Sequence, residues 1–219
     1  FIDIGGASTK PGADVVDEKE EINRVIPAIN AIKQHAPKAI ISIDTTSSVV
    51  AEKAVASGAS IVNDISAGTF DDRMLAVVAS LGIPYIAMHI QGTPKTMQKK
   101  PTYYHVVDDV FRALETFRDR AIKQGIQQII LDPGFGFGKT LSHNYQLLHH
   151  LDKFQSLGHP ILVGASRKSM IQKPINVHAE NALNGTTVVN TIAALQGASI
   201  LRVHDVKEAV QVFKIVNYM

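Results

Sequence analysis

Seven short apolar runs, each followed by a stretch of helical spacing, most narrow what this chain can fold into. The runs are Phe1–Ile4, Ala39–Ile43, Ser60–Val62, Pro84–Ala87, Gln128–Leu131, Ile161–Val163 and Ser199–Val203. They are rich in Ile, Val and Leu with little alternation, the pattern of strands buried on both faces. The intervening stretches predict helices. Asp17–Gln34 puts Ile22, Val25, Ile26 and Ile29 on one face, and Val49–Ala56 is stopped by Gly58. A third helix is capped by Asp71 or Asp72 and runs to Ser80, and Val106–Gln124 is the longest. His143–Gln155, Ala179–Gln196 and a C-terminal helix complete the series. Strict alternation predicts an α/β fold with a parallel sheet under helices. Seven units are one short of a closed (β/α)8 barrel, so a barrel places one more unit ahead of Phe1. An open doubly wound sheet accepts any number, and counting leaves both open. Residues 1–219 read as a single domain without a linker, with Lys173–His178 as its most flexible piece.

Composition excludes several classes. A 45% hydrophobic fraction supports a core, and a net charge of +2 with interspersed signs gives no nucleic-acid footprint. Without cysteine there are neither disulfides nor thiolate metal sites. No apolar run approaches the roughly 20 residues that span a bilayer. The absence of a signal peptide suggests a cytoplasmic enzyme, and Phe1 inside a strand suggests that the beginning is missing.

Polar residues follow the apolar runs one after another: Thr9, Asp44, Asn63, His89, Asp132, Lys168, and Arg202 with His204. In a parallel barrel these positions open onto one face. Singly, each has a plainer explanation. Asp44 could cap a helix, Asn63 could sit in a turn, His89 could be packed, and Lys168 could be solvated. Asn184-Gly185-Thr186 matches a glycosylation sequon but reads as a turn beside a helix.

The stretch Leu131-Asp132-Pro133-Gly134-Phe135-Gly136-Phe137-Gly138-Lys139 delivers a carboxylate and then turns through Pro and alternating Gly. Its two phenylalanines would offer flat apolar surface beside exposed amides. Pro133 stands where a Walker loop needs its first glycine, and the spacing is not that of a Rossmann loop. Asp44 and Asp132 as acceptors, Asn63 as donor and acceptor, and Met88, Phe135 and Phe137 as apolar surfaces suit a flat heterocycle edged with N–H groups. Arg202 and His204 alternate on the last strand and suit a phosphate or pyrophosphate. Ser166-Arg167-Lys168 supplies a second cationic corner for a carboxylate.

Ile4-Gly5-Gly6-Ala7-Ser8-Thr9-Lys10-Pro11-Gly12, Ile43-Asp44-Thr45, Asn63-Asp64-Ile65, Met88-His89, Asp132–Lys139, Val163–Ser169 and Arg202-Val203-His204-Asp205 occur in the order found in bacterial dihydropteroate synthases. The chain resembles that family over nearly its whole length. The resemblance implies a (β/α)8 TIM barrel, here without its first βα unit. It also implies a transferase joining (7,8-dihydropterin-6-yl)methyl diphosphate to 4-aminobenzoate, with release of pyrophosphate, in folate biosynthesis. By the family pattern Asp44, Asn63, Met88, Asp132 and Lys168 take the pterin, while Thr9, Arg202, Val203 and His204 with Mg2+ take the diphosphate. Lys10, Pro11, Phe137, Ser166 and Arg167 would line the aminobenzoate pocket. Asp44, Asp132, Lys168, Arg202 and His204 are the implied catalytic set, and a homodimer is the implied assembly. Ala7 and Lys10 depart from the family's Glu and Arg. The family's Asn-Val-Thr-Pro-Asp-Ser-Phe segment, whose asparagine helps hold Mg2+, is absent, so no metal ligand is expected in this chain and its turnover is expected to be weak.

Overall fold

The computed structural model describes residues 1–10, 12 and 16–219. It divides into two compact units: Phe1–Ile90 with Leu114–Ile130, and Gln91–Ala113 with Leu131–Met219.

The first unit alternates β1 (Ile2–Gly5), α1 (Glu18–His35), β2 (Ile41–Asp44), α2 (Ser48–Ala56), β3 (Ile61–Asp64), α3 (Met74–Leu81) and β4 (Tyr85–Met88). Next come α4 (Val106–Lys123) and β5 (Ile129–Asp132), each of which lies partly in both units. The strands run in the order β1-β2-β3-β4-β5, and the pairs from β1 to β4 are parallel. Ile41, Ile43, Val62, Tyr85 and Ala87 on one face of the sheet and Ile61, Ile86 and Met88 on the other are all buried, as the unbroken apolar runs required. Val25 and Ile29 of the expected face of α1 are buried, and Asp17 caps that helix by accepting from the Glu20 amide at 2.8 Å. The cap of α3 differs from expectation. Its N-cap is Arg73, and the Asp71 carboxylate accepts from the amides of Arg73 (2.9 Å) and Ser48 (2.7 Å), so it also serves the first turn of α2.

The second unit holds α5 (Leu141–His149), a 3-10 helix (Leu151–Leu157), β6 (Leu162–Val163), α6 (Ser169–Ile175), a second 3-10 helix (Ala179–Asn181), α7 (Leu183–Leu195), β7 (Ile200–Leu201) and α8 (Val206–Val216). β6 and β7 pair in parallel, and Leu131 bridges to Ile161. Two helices expected to be continuous are therefore interrupted, after His149 and at Ala182.

The stretch expected to be most flexible begins inside α6. Pro174 cannot donate to the Met170 carbonyl one turn earlier, but the Tyr145 hydroxyl donates to that oxygen at 2.9 Å. Asn184-Gly185-Thr186 is the first turn of α7 rather than a turn beside it. A Cβ on Gly185 would lie 2.6 Å from Ile171 and 2.9 Å from Ile175, so glycine there permits close packing of α6 on α7.

Candidate active site

In the first unit the register sets Asp44 beside Asn63, and Gly5 beside Asp44, at the C-terminal ends of parallel strands. Asp44 is half-buried and Asn63 is buried. The cap of the following helix is Ser47, so Asp44 does not have the capping role that would explain it. The Asn63 amide donates to Asp3 at 3.2 Å, which makes Asp3 a neighbour that the strand-end pattern did not single out. Met88 closes β4 and is buried; His89 follows it, half-buried.

The loop after β1 is rooted on α1. Arg24 donates to the Gly6 carbonyl at 2.9 Å, and a Cβ on Gly6 would lie 2.8 Å from the Glu21 side chain. Burial pushes the Glu21 carboxyl up, while the Thr45 hydroxyl pulls it back. Beyond that root Thr9 is half-buried and Lys10 exposed; Pro11 lies outside the described residues.

Asp64, which ends β3, is fully buried. It accepts from the Ser66 amide (2.7 Å), the Ser66 hydroxyl (2.7 Å), the Gly68 amide (2.8 Å) and the Tyr85 hydroxyl (2.6 Å). Tyr85 stacks on Phe117 with centroids 5.6 Å apart. This network fixes the turn immediately after Asn63.

In the second unit Asp132 is 5% exposed and lies at the end of β5. Burial pushes its carboxyl up; the Gly134 amide, then the charges of Lys168, Arg202 and Lys139, pull it back. Gly164 faces this group: a Cβ there would meet Arg202 Nε at 3.5 Å and Asp132 Oδ2 at 3.9 Å. Lys168 donates to the Phe135 carbonyl at 2.8 Å, and its ammonium stands 4.5 Å above the centre of the Phe137 ring. The loop does not offer the surface and free amides expected of it. Phe135 is fully buried and Phe137 is buried, while the amides of Gly134, Gly136 and Phe137 bond to Asp132, Asn144 and the Gly134 carbonyl.

Arg202 and His204 both lie beyond β7, so the alternation expected of them does not apply. Strand pairing stops at Val163 and Leu201, and the Arg202 amide bonds to the Val163 carbonyl at 2.9 Å. Arg202 and Val203 are half-buried and His204 is exposed. His204 Nδ1 instead sits 2.9 Å from the hydroxyl of buried Ser166. Arg167, in the left-handed region at φ 55, forks onto Asp205 through Nε and one Nη at 2.8 Å each. Its other Nη donates to the carbonyls of Ala179 and Glu180, so four of the five guanidinium N–H groups are engaged.

Sequence reasoning passed over Lys139 and Asn144. Lys139 is 3% exposed and donates to the Gly134 and Phe137 carbonyls. Asn144 accepts from Gly136 and donates to the Thr140 carbonyl at 2.7 Å. A lysine directly after the last glycine of the loop was the available signal.

In each unit polar side chains stand at strand C-terminal ends, Asp44 and Asn63 in the first and Asp132 in the second, the placement of catalytic groups in α/β barrel enzymes. Residues 1–204 match the family described as pterin binding enzyme, and the chain belongs to that family. Its relatives include dihydropteroate synthases. That of Escherichia coli (strain K12) is 46% identical over 219 residues, covering 99% of this chain and 77% of the relative. Among solved structures, Yersinia pestis dihydropteroate synthase with a sulfonamide drug complex superposes with a TM-score of 0.95 at 43% identity, covering 99% of this chain and 79% of that one. The Xanthomonas albilineans dihydropteroate synthase with 4-aminobenzoic acid gives 0.92 at 38% identity, covering 99% and 77%. The fold class is thus the α/β barrel of these enzymes.

Proposed function

We propose a division of labour among this chain's residues in dihydropteroate synthesis, the folate-biosynthetic condensation of (7,8-dihydropterin-6-yl)methyl diphosphate with 4-aminobenzoate. Asp44, Asn63, Asp132 and Lys168 hydrogen-bond the edges of the pterin; Met88 packs against it. Arg202 and His204, with Thr9 and the Val203 backbone, receive the diphosphate. Phe137, Ser166, Lys10 and Pro11 line the aminobenzoate pocket. Arg167 shapes that pocket as a wall, since Asp205 and two carbonyls already hold its guanidinium.

The C–O bond between the pterin methylene and the diphosphate breaks, and the electron pair leaves with the diphosphate. Cations around the departing group offset its charge, and the Asp44 and Asp132 carboxylates stabilise the pterin cation left behind. The neutral aniline nitrogen then attacks the methylene and loses a proton, so no strong base is required. Orientation supplies much of the remaining acceleration. Mg2+ belongs to this reading as a companion of the diphosphate oxygens. Among the described residues no group of three or more His, Cys, Asp or Glu is placed to hold a metal, and no step is routed through one.

One observation carries the reading: a buried carboxylate, Asp132, with Lys168, Arg202 and Lys139 all acting on it electrostatically, in a chain of this family. Mixing the protein with both substrates is expected to release pyrophosphate in step with dihydropteroate, and with either substrate alone to release none. Pyrophosphate release that ignores 4-aminobenzoate would point to simple hydrolysis and sink the assignment.

The reading includes one chain, 1–219, acting as a single domain in the cytoplasm. No helix among the described residues is long and apolar enough to cross a membrane. It also includes a homodimer. Val188, Ile192 and Leu195 are exposed at spacings of four and three residues on α7, as are Val206 and Val210 on α8. A second copy covers these residues in our reading. Light scattering should give twice the chain mass, and Val188→Glu with Ile192→Glu should give one chain mass. A monomer before substitution would end this part of the proposal.

A further inference from the structure

Five consecutive carbonyl oxygens after Asp132 each accept a side-chain hydrogen bond. Gly134 accepts from Lys139 Nζ (2.9 Å), Phe135 from Lys168 (2.8 Å), Gly136 from Gln98 (2.6 Å), Phe137 from Lys139 again (3.1 Å) and Gly138 from Tyr103 (2.8 Å). Gly134, Gly136 and Gly138 all have positive φ, a backbone free to take many conformations if nothing held it. Lys139 provides two of the five bonds, and it is buried beneath the loop.

The Gly134 position matters most. Its amide donates to Asp132 Oδ1 at 2.7 Å and its carbonyl takes the Lys139 ammonium at 2.9 Å. One hydrogen-bonded path therefore runs from the lysine through a single glycine to the carboxylate. Rotation at Gly134 would move the amide that orients Asp132.

We propose that Lys139 is a positioning residue for pterin recognition, holding Gly134 and through it the orientation of the Asp132 carboxylate. This rests on the reading that Asp132 binds the pterin. Lys139 touches no substrate; it acts on the group that does.

The energetics favour a role beyond filling space. Burying an ammonium is costly, and a methionine of similar length would fill the volume without that cost. Burial pushes the Lys139 ammonium down to about 7, against the pull of Asp132 and with the push of Lys168. Even as a neutral amine it retains two N–H donors, so both carbonyl bonds survive the loss of its proton.

The test compares steady-state kinetics of Lys139→Met, Lys139→Gln and Asp132→Ala with the unsubstituted enzyme, after thermal melts have established which variants fold. Lys139→Met is expected to raise KM for the pterin diphosphate ten- to a hundredfold and to leave KM for 4-aminobenzoate within threefold. Lys139→Gln, which keeps a donor, should recover at least part of the pterin KM. A folded Met variant with pterin KM within twofold of the unsubstituted enzyme, or with both KM values raised alike, overturns the inference while Asp132→Ala shows its own pterin defect. Should Asp132→Ala leave pterin KM unchanged, the underlying reading of Asp132 fails instead. If the Met variant does not fold, Lys139→Leu, which also lacks a donor, decides on the same comparison: a pterin-specific rise above twofold supports positioning, and no such rise ends it.

Discussion

Asp132→Ala is expected to weaken pterin binding by roughly 1.5–3 kcal/mol, the range for hydrogen bonds to a charged group, or about ten- to 150-fold in Kd. The carboxylate is 5% exposed, so water does not replace it readily when it is removed. Its Oδ1 is committed to Gly134, which leaves Oδ2, on the Gly164 and Arg202 side, for a ligand N–H pair. The charged form is the one that accepts from pterin N–H groups. Burial holds the carboxyl above its ordinary range, so pterin affinity should fall as pH is lowered toward that raised value, before an exposed carboxylate would respond. The alanine variant should lack this acid limb. Calorimetric titration with the pterin over a series of decreasing pH values measures both effects. Unchanged affinity in a folded variant would remove Asp132 from the site.

The strands were legible because buried β-structure writes itself as short unbroken apolar runs, and each was located to within two residues or so. Helix continuity was harder to read. α6 is seven residues long and contains Pro174, so neither periodicity nor propensity announces it; a tyrosine hydroxyl from α5 completes its hydrogen bonding. The same limit hid the path of Arg202 and His204. Alternation along a strand holds only where the strand continues, and β7 pairs over two residues.

At the site, residue types were easier to recognise than partners. Asp132 and Lys168 stood out as strand-end polar groups, yet nothing local indicates that Lys168 reaches Phe135 or that Arg167 is forked by Asp205, 38 residues away. The Gly138-Lys139 pair was visible but had meaning only as part of a phosphate loop, which Pro133 excluded. Its observed role depends on burial under its own loop, a tertiary fact. The loop itself combines two readings kept apart in the sequence. Phe135 is core packing, whereas Phe137 carries the Lys168 ammonium over its ring.

Asp64 shows the same dependence on tertiary context and supports the other large expectation. Asp64→Ala should destabilise the fold by about 3–5 kcal/mol, because it removes the common acceptor of a buried network and leaves several donors unpaired. Burial pushes the Asp64 carboxyl up, and the hydroxyls of Tyr85 and Ser66 and the amides of Ser66 and Gly68 pull it back. Tyr85 is held well above its ordinary value by burial, then by the Asp64 charge, so it remains a donor throughout the working range. Alanine would leave these donors without their acceptor in a site closed to water, at about 1–3 kcal/mol for each that finds no substitute. For a chain of this length the loss corresponds to a melting point lower by roughly 6–20 °C. Asp64→Asn retains an acceptor oxygen, and the Tyr85 hydroxyl can turn to accept from the new amide, so it should lose less than the alanine variant. Because the turn held by Asp64 begins one residue after Asn63, a folded Asp64→Asn variant should also bind the pterin more weakly. Urea denaturation read by circular dichroism separates the outcomes. An alanine variant within 1 kcal/mol of the unsubstituted chain would mean that the four donors find other partners, and that the turn beside Asn63 is not held by this carboxylate.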